Sequence, residues 1–176
     1  MSGTKKPIIY WDAAVYIAWL LEEEAYAPFL PVLKAIADAN LRGENIMVTS
    51  TITLIEVTPK KLDNPALERK FQRCFDGHRH KLIEVGPPVA MRARDYRQDC
   101  SEAGRQLLTP DAIHLATATI ERVDEFHTFD RGRKKGIDDD LNKTKTVSLI
   151  GLNGSDKVHK LKIINPDYPQ GMPTLL

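Results

Sequence analysis

The chain has 176 residues, 42% of them hydrophobic and 28% charged, enough for one globular domain with a full core and too short for two comfortable ones. Its 25 Lys and Arg nearly cancel its 24 Asp and Glu, so bulk charge argues neither for nor against a nucleic-acid partner and leaves that to a local patch. The apolar run from Ala13 to Leu21 is too short to span a bilayer, MSGTKKPIIY lacks a signal peptide's apolar segment, and Cys74 and Cys100 suggest neither a disulfide framework nor a metal site, so the expected location is cytoplasmic.

Residues Ile8 to Trp11 read as a first buried strand, followed by a helical stretch through Leu21 and another from about Pro28 to Leu41. In the latter, Leu30, Leu33, Ile36, Ala37 and Leu41 fall at helical spacing. Arg42-Gly43-Glu44-Asn45 is turn-like, and Ile46 to Val48 gives a second strand. Ser50 or Thr51 can then cap a helix carrying Leu54, Ile55 and Val57. Asn64 and Pro65 suit the start of another helix, running to Phe75.

Leu82 to Val85 is a third strand, closed by Gly86-Pro87-Pro88, and a charged helix follows from Val89 to about Gln106. Thr109, as N-cap, opens a helix with Ile113, Ala116, Ile120 and Val123 on one stripe. Residues 125–129 form a fourth strand and Val147 to Ile150 a fifth. Strands separated by helices imply a three-layer α/β/α sandwich with a mainly parallel five-stranded sheet. The pattern changes after Gly151: Asn153-Gly154 is a turn signal that leads to Lys160–Ile164, an expected antiparallel edge strand. The expected division is therefore a domain over residues 1–150 and an extension over 151–176, packed on or extending from it.

In an open parallel sheet, ligands bind beyond the carboxyl ends of the strands. Asp12 follows the first strand, Asp130 the fourth, Glu56 lies in the helix after the second, and Asp111 in the first turn of the helix feeding the fourth. Each alone has an ordinary reading. Acids after strands cap helices, Glu56 can be a solvated helix residue, and Asp111 suits the positive end of a helix dipole. Four acids from four segments meeting at one edge would instead repel one another and raise each other's pKa. A hard cation, Mg²⁺ or Mn²⁺, relieves that repulsion, and metal-assisted phosphodiester hydrolysis is the matching chemistry.

Four stretches, IIYWDAAVYIA, TSTITLIEV, LLTPDAIHLATA and FHTFDRG, resemble a PIN domain, the small nuclease fold of VapC-type toxins and RNA-processing factors. The likeness runs from about Pro7 to Ile150. It implies a divalent-metal-dependent endoribonuclease acting on RNA, with Mg²⁺ or Mn²⁺ held by Asp12, Glu56, Asp111 and Asp130. It further implies that Thr128, in the Thr-x-Asp motif, orients a water or an adjacent carboxylate. A toxin role with a small antitoxin partner, and a homodimer, are expectations of the same kind. The family commonly has a small polar residue soon after the first aspartate, where this chain has Ala13-Ala14. The alternative is a weakly active or inactive PIN-like module that binds RNA or protein without cleaving it.

Other features are open to two readings. Arg131, Arg133, Lys134 and Lys135 can meet an RNA backbone or form a solvated loop balanced by Asp138-Asp139-Asp140. Arg92, Arg94, Arg97 and Arg105 read as a solvated helix face, Lys60-Lys61 is ambiguous, His78 and His80 read as surface residues, and His114 as a packed or partly exposed one rather than a catalytic one. A phosphotransfer receiver would need an acidic neighbour for Asp12, and a haloacid-dehalogenase phosphatase would need an acid where Ala14 stands; a Gly-rich nucleotide loop is also missing.

Overall fold

The computed structural model describes residues 5–77, 80–130, 145–147, 149–152 and 161–166. Strand β1 (Ile8–Trp11) leads into α1 (Ala13–Leu21), a 3₁₀ turn (Glu24–Phe29) and α2 (Leu30–Leu41). Gly43, at φ +74°, reverses the chain into β2 (Ile46–Ser50). Three short helices follow, α3 (Ile52–Glu56), α4 (Pro59–Leu62) and α5 (Pro65–Arg73), then β3 (His80–Ile83) and α6 (Pro87–Glu102). The rest comprises β4 (Arg105–Gln106), α7 (Thr109–Ile120), β5 (Glu125–His127), β6 (Lys145–Thr146) and β7 (Lys162–Ile164).

The main sheet has the order β3-β2-β1-β5-β7, with every neighbouring pair parallel. Parallel neighbours need crossover connections, and the helices between them cover both faces. The period-two alternation of β1 sorts its side chains between two cores. Ile9 and Trp11 pack with Val15, Leu33, Ile36 and Phe71 under α1, α2 and α5. Tyr10 packs on the opposite face with Tyr96, Leu115 and Phe126 under α6 and α7. The mainly parallel five-stranded α/β sandwich expected from the sequence is thus the observed fold.

The fifth strand is a different segment from the one expected. Of the described residues among 147–150, Val147 and Leu149 are buried in the α6–α7 core, and neither lies in the main sheet. Their backbone is engaged elsewhere: Val147 donates its N–H to the Gln106 carbonyl, and Leu149 donates to the Asp130 carboxylate. Lys162–Ile164 takes the edge beside β5, and it runs parallel rather than antiparallel. Leu161 and Ile163 are buried in the same core. Helix α6 stops at Glu102, since Gly104 at φ +67° turns the chain into β4, which pairs with β6 in a separate two-stranded sheet. Thr109 is the first helical residue of α7 rather than its cap, a place that falls to Leu108 without a side-chain hydrogen bond. Asn64 does cap α5, accepting from the Ala66 N–H at 2.8 Å. Among the described residues no helix is long and apolar enough to cross a membrane.

Candidate active site

The strand order fixes where a site can form. From β1 the chain steps outward through β2 and β3, then returns to place β5 on the other side of β1. The carboxyl ends of β1 and β5 therefore flank the point where the winding reverses, the usual position of a ligand crevice in such sheets. Asp12 leaves β1 at this point, and Thr128 and Asp130 leave β5.

Asp12 is 4% exposed. Its Oδ1 caps α1 by accepting the Val15 N–H at 3.0 Å, and its backbone N–H reaches the His127 carbonyl. The Thr128 hydroxyl donates to the same carboxylate. Burial raises the Asp12 pKa, and the neighbouring His114 ring, the Thr128 hydroxyl and the Val15 N–H oppose that rise. Thr128, fully buried, also accepts the Asp130 N–H at 2.9 Å, so one hydroxyl ties the two aspartates together. Asp12 thus has its supporting hydrogen bonds although Ala13-Ala14 follow it.

Glu56 is the last residue of α3, and its Oε2 lies 2.7 Å from His114 Nε2. The short α3 leaves Ile55 71% exposed and Leu54 exposed as well, whereas Val57 beyond its end is buried. Lys61 resolves toward structure: its Nζ donates to the Glu56 carbonyl at 2.8 Å.

Asp111 stands in the first turn of α7. Its carboxyl is pushed up to about 7, first by burial and then by the charge of Asp130, with Asp12 and Glu56 adding to the rise and His114 opposing it. The other three acids named from the sequence, Asp12, Glu56 and Asp130, are therefore close enough for their charges to act on Asp111. Asp130 in turn accepts the Leu149 N–H at 3.0 Å.

Among the described residues, no group of three or more His, Cys, Asp and Glu side chains is placed so as to hold a metal ion. The donor set still fits a hard cation. It consists of oxygen ligands, and burial and mutual repulsion oppose ionisation of Asp111. Mg²⁺ commonly uses only one or two carboxylates and keeps several waters, so a closed protein cage is not required.

Sequence reasoning missed the layer beneath the acids. His114 is 2% exposed, and its Nδ1 lies 2.7 Å from the Tyr10 hydroxyl, which accepts the Ser50 N–H at 3.1 Å. Two signals pointed there: a tyrosine in an otherwise apolar buried strand needs a polar partner, and His114 sits one helical turn from Asp111. His80 is no free surface residue. It lies against Tyr16 and Phe75, and burial pushes its pKa down to about 4. Arg94 and Arg97 are exposed, as expected of a solvated face, and line an open cleft of about 430 Å³ between α6 and α7 that includes none of the four acids. Arg131, Arg133, Lys134, Lys135, His78 and the acidic run at 138–140 lie outside the described residues.

A three-layer sheet domain with acids gathered at its switch point defines the class of protein: an α/β domain with an acidic site at the carboxyl edge. The chain belongs to the PIN domain family, whose sequence profile matches residues 9–136 and so includes all four acids. PIN domains are generally nucleases. No curated protein sequence matches the chain. Among solved structures it is similar to a chain of VapBC2 from Rickettsia felis bound to a DNA fragment from their promoter. That likeness has a TM-score of 0.57 and 13% identity, covering 91% of this chain and 99% of the other. FitAB bound to the IR36 DNA fragment gives 0.54 and 17%, over 93% and 99% of the two chains. FitAcB from Neisseria gonorrhoeae gives 0.53 and 18%, over 90% and 97%. At these identities the likeness is one of fold.

Proposed function

We propose that the chain is a divalent-metal-dependent endoribonuclease that hydrolyses RNA phosphodiester bonds, with Asp12, Glu56, Asp111 and Asp130 holding Mg²⁺ or Mn²⁺. The observation that carries this reading is the action of the charges of Asp12, Glu56 and Asp130 on the part-buried Asp111 near the switch point of the sheet. Bound there, the ion would polarise the phosphoryl oxygen and make a nucleophile of water at neutral pH. Thr128 fixes Asp12 and Asp130 relative to each other through its hydroxyl. Glu56 has Oε2 engaged by His114 and Oε1 left for the cluster. The Asp111 carboxyl, held near 7, would have to give up its proton to hold a cation, so occupancy of the site would strengthen as pH rises through neutrality.

The test is cleavage of RNA by the purified protein with Mg²⁺ or Mn²⁺, and its arrest by EDTA. Asp12→Asn should abolish cleavage while circular dichroism keeps its native form. RNA binding indifferent to metal and to this substitution would instead establish a binding module. A toxin role with a small antitoxin partner follows from the fold shared with VapBC2 and FitAB, by analogy. Growth arrest on expression, relieved by a coexpressed small neighbouring gene product, is its expected signature; unimpaired growth without any partner contradicts it.

A further inference from the structure

Glu56 differs from the other acids in how it is held. It ends a five-residue helix whose preceding side chains, Leu54 and Ile55, are exposed, so α3 itself packs little around it. What grips its carboxylate is the buried ring of His114, carried on the neighbouring helix α7. The protons along this contact can be placed. A carboxylate only accepts, so Nε2 of His114 carries a hydrogen and donates to Glu56 Oε2 over 2.7 Å. Nδ1 can then accept from the Tyr10 hydroxyl, 2.7 Å away, whose oxygen receives the Ser50 N–H. Every donor in this series has an acceptor, and the hydrogen bonds all run one way, from the Ser50 backbone to Glu56. The ring is further fixed edge-on to Tyr10, with centroids 5.8 Å apart.

We propose that His114 is a positioning residue: backed by Tyr10, it donates from Nε2 to Glu56 and aims the remaining carboxylate oxygen at the cation site. Helix α7 thereby supplies one acid of the cluster, Asp111, and orients a second from one turn along. The role rests on the metal-dependent reading of the four acids. Partners of this kind, one bond removed from an ion, typically change metal affinity by about 10–100-fold when removed.

The experiment measures Mn²⁺ binding by calorimetry in the absence of RNA, for the unaltered protein, His114→Gln and His114→Leu. It is joined by the ¹⁵N spectrum of the His114 ring in the unaltered, metal-free protein. Glutamine keeps an N–H near the Nε2 position, whereas leucine removes it. Expected are near-normal Mn²⁺ affinity for His114→Gln, a loss of about 10-fold or more for His114→Leu, and a ring protonated at Nε2 but not at Nδ1. Should His114→Leu fail to fold, the ring spectrum and Tyr10→Phe carry the test: Tyr10→Phe removes the donor to Nδ1 and is expected to weaken Mn²⁺ binding relative to the unaltered protein, and unaltered affinity in it would overturn the role. A folded His114→Leu protein with unaltered affinity, or a ring protonated at Nδ1 alone, overturns the role and leaves the metal reading standing. An unaltered protein that binds no Mn²⁺ overturns the metal reading itself, and the role with it.

Discussion

Asp111 is where the fold pays most visibly for the site, and replacing it should stabilise the metal-free protein. Its carboxyl has an ordinary value of 3.8 and stands near 7 in the folded chain. Below the ordinary value the group is protonated in both folded and unfolded states, and it adds nothing to the difference between them. As pH rises from there through 7, the unfolded chain releases the proton first, so folding stability falls, and above 7 the full penalty is present. At about 1.4 kcal/mol per pH unit the displacement corresponds to about 4 kcal/mol. Partial exposure of the group and local relaxation reduce the realised penalty to about 2–3 kcal/mol. Asp111→Asn removes the charge and keeps the shape. Thermal melts in EDTA at pH 8 should therefore show the variant melting about 5–10 °C higher, at 2–4 °C per kcal/mol for a chain of this size. The gap should close as pH falls toward 4, and saturating Mn²⁺ should raise the melting temperature of the unaltered protein alone. A variant no more stable at pH 8, or a gap independent of pH, would refute the claim that burial and the neighbouring acids together raise the pKa of this carboxyl.

Thr128→Val preserves shape but takes a donor from Asp12 and an acceptor from Asp130; urea unfolding should show a loss of about 1–3 kcal/mol, and Mn²⁺ affinity should fall by about 10-fold. Ile163→Ala tests β7 as part of the folded core and should cost about 2–5 kcal/mol in the same assay, with a cost near zero removing Lys162–Ile164 from the sheet. Replacing Arg131, Arg133, Lys134 and Lys135 with alanine in the Asp12→Asn background should weaken RNA binding. The slope of log K against log salt should flatten by about 0.7 for each phosphate that these side chains no longer neutralise; an unchanged slope returns these residues to a solvated loop.

The order and faces of the main elements were legible because the chain follows simple periodicities. The buried strand read at Ile8 to Trp11 and the helical spacing of Leu33 and Ile36 match the cores they enter. The places of Asp12 and Asp130 beside the carboxyl ends of β1 and β5 were legible because position after a strand is readable from sequence. Less legible was whatever depended on distant backbone partners. Val147 to Ile150 has the composition of a strand, yet its amides go to Gln106 and to the Asp130 side chain. Lys160–Ile164 followed a hairpin signal, but burial of Leu161 and Ile163 on the α6–α7 core accompanies a parallel edge. The roles of His114 and His80 were hidden for a related reason. A histidine's burial and partners are set by residues far along the chain, Tyr10 and Glu56 for one and Tyr16 for the other.

The convergence of Asp12, Glu56, Asp111 and Asp130 on a cation is tested most directly by an anomalous difference map from crystals soaked in Mn²⁺. The account predicts a peak at the carboxyl ends of β1 and β5, within reach of Asp12 and Asp111 directly or through one water, and its loss in Asp12→Asn crystals. An occupied Mn²⁺ position elsewhere with this edge vacant, or a peak indifferent to Asp12→Asn, would contradict it.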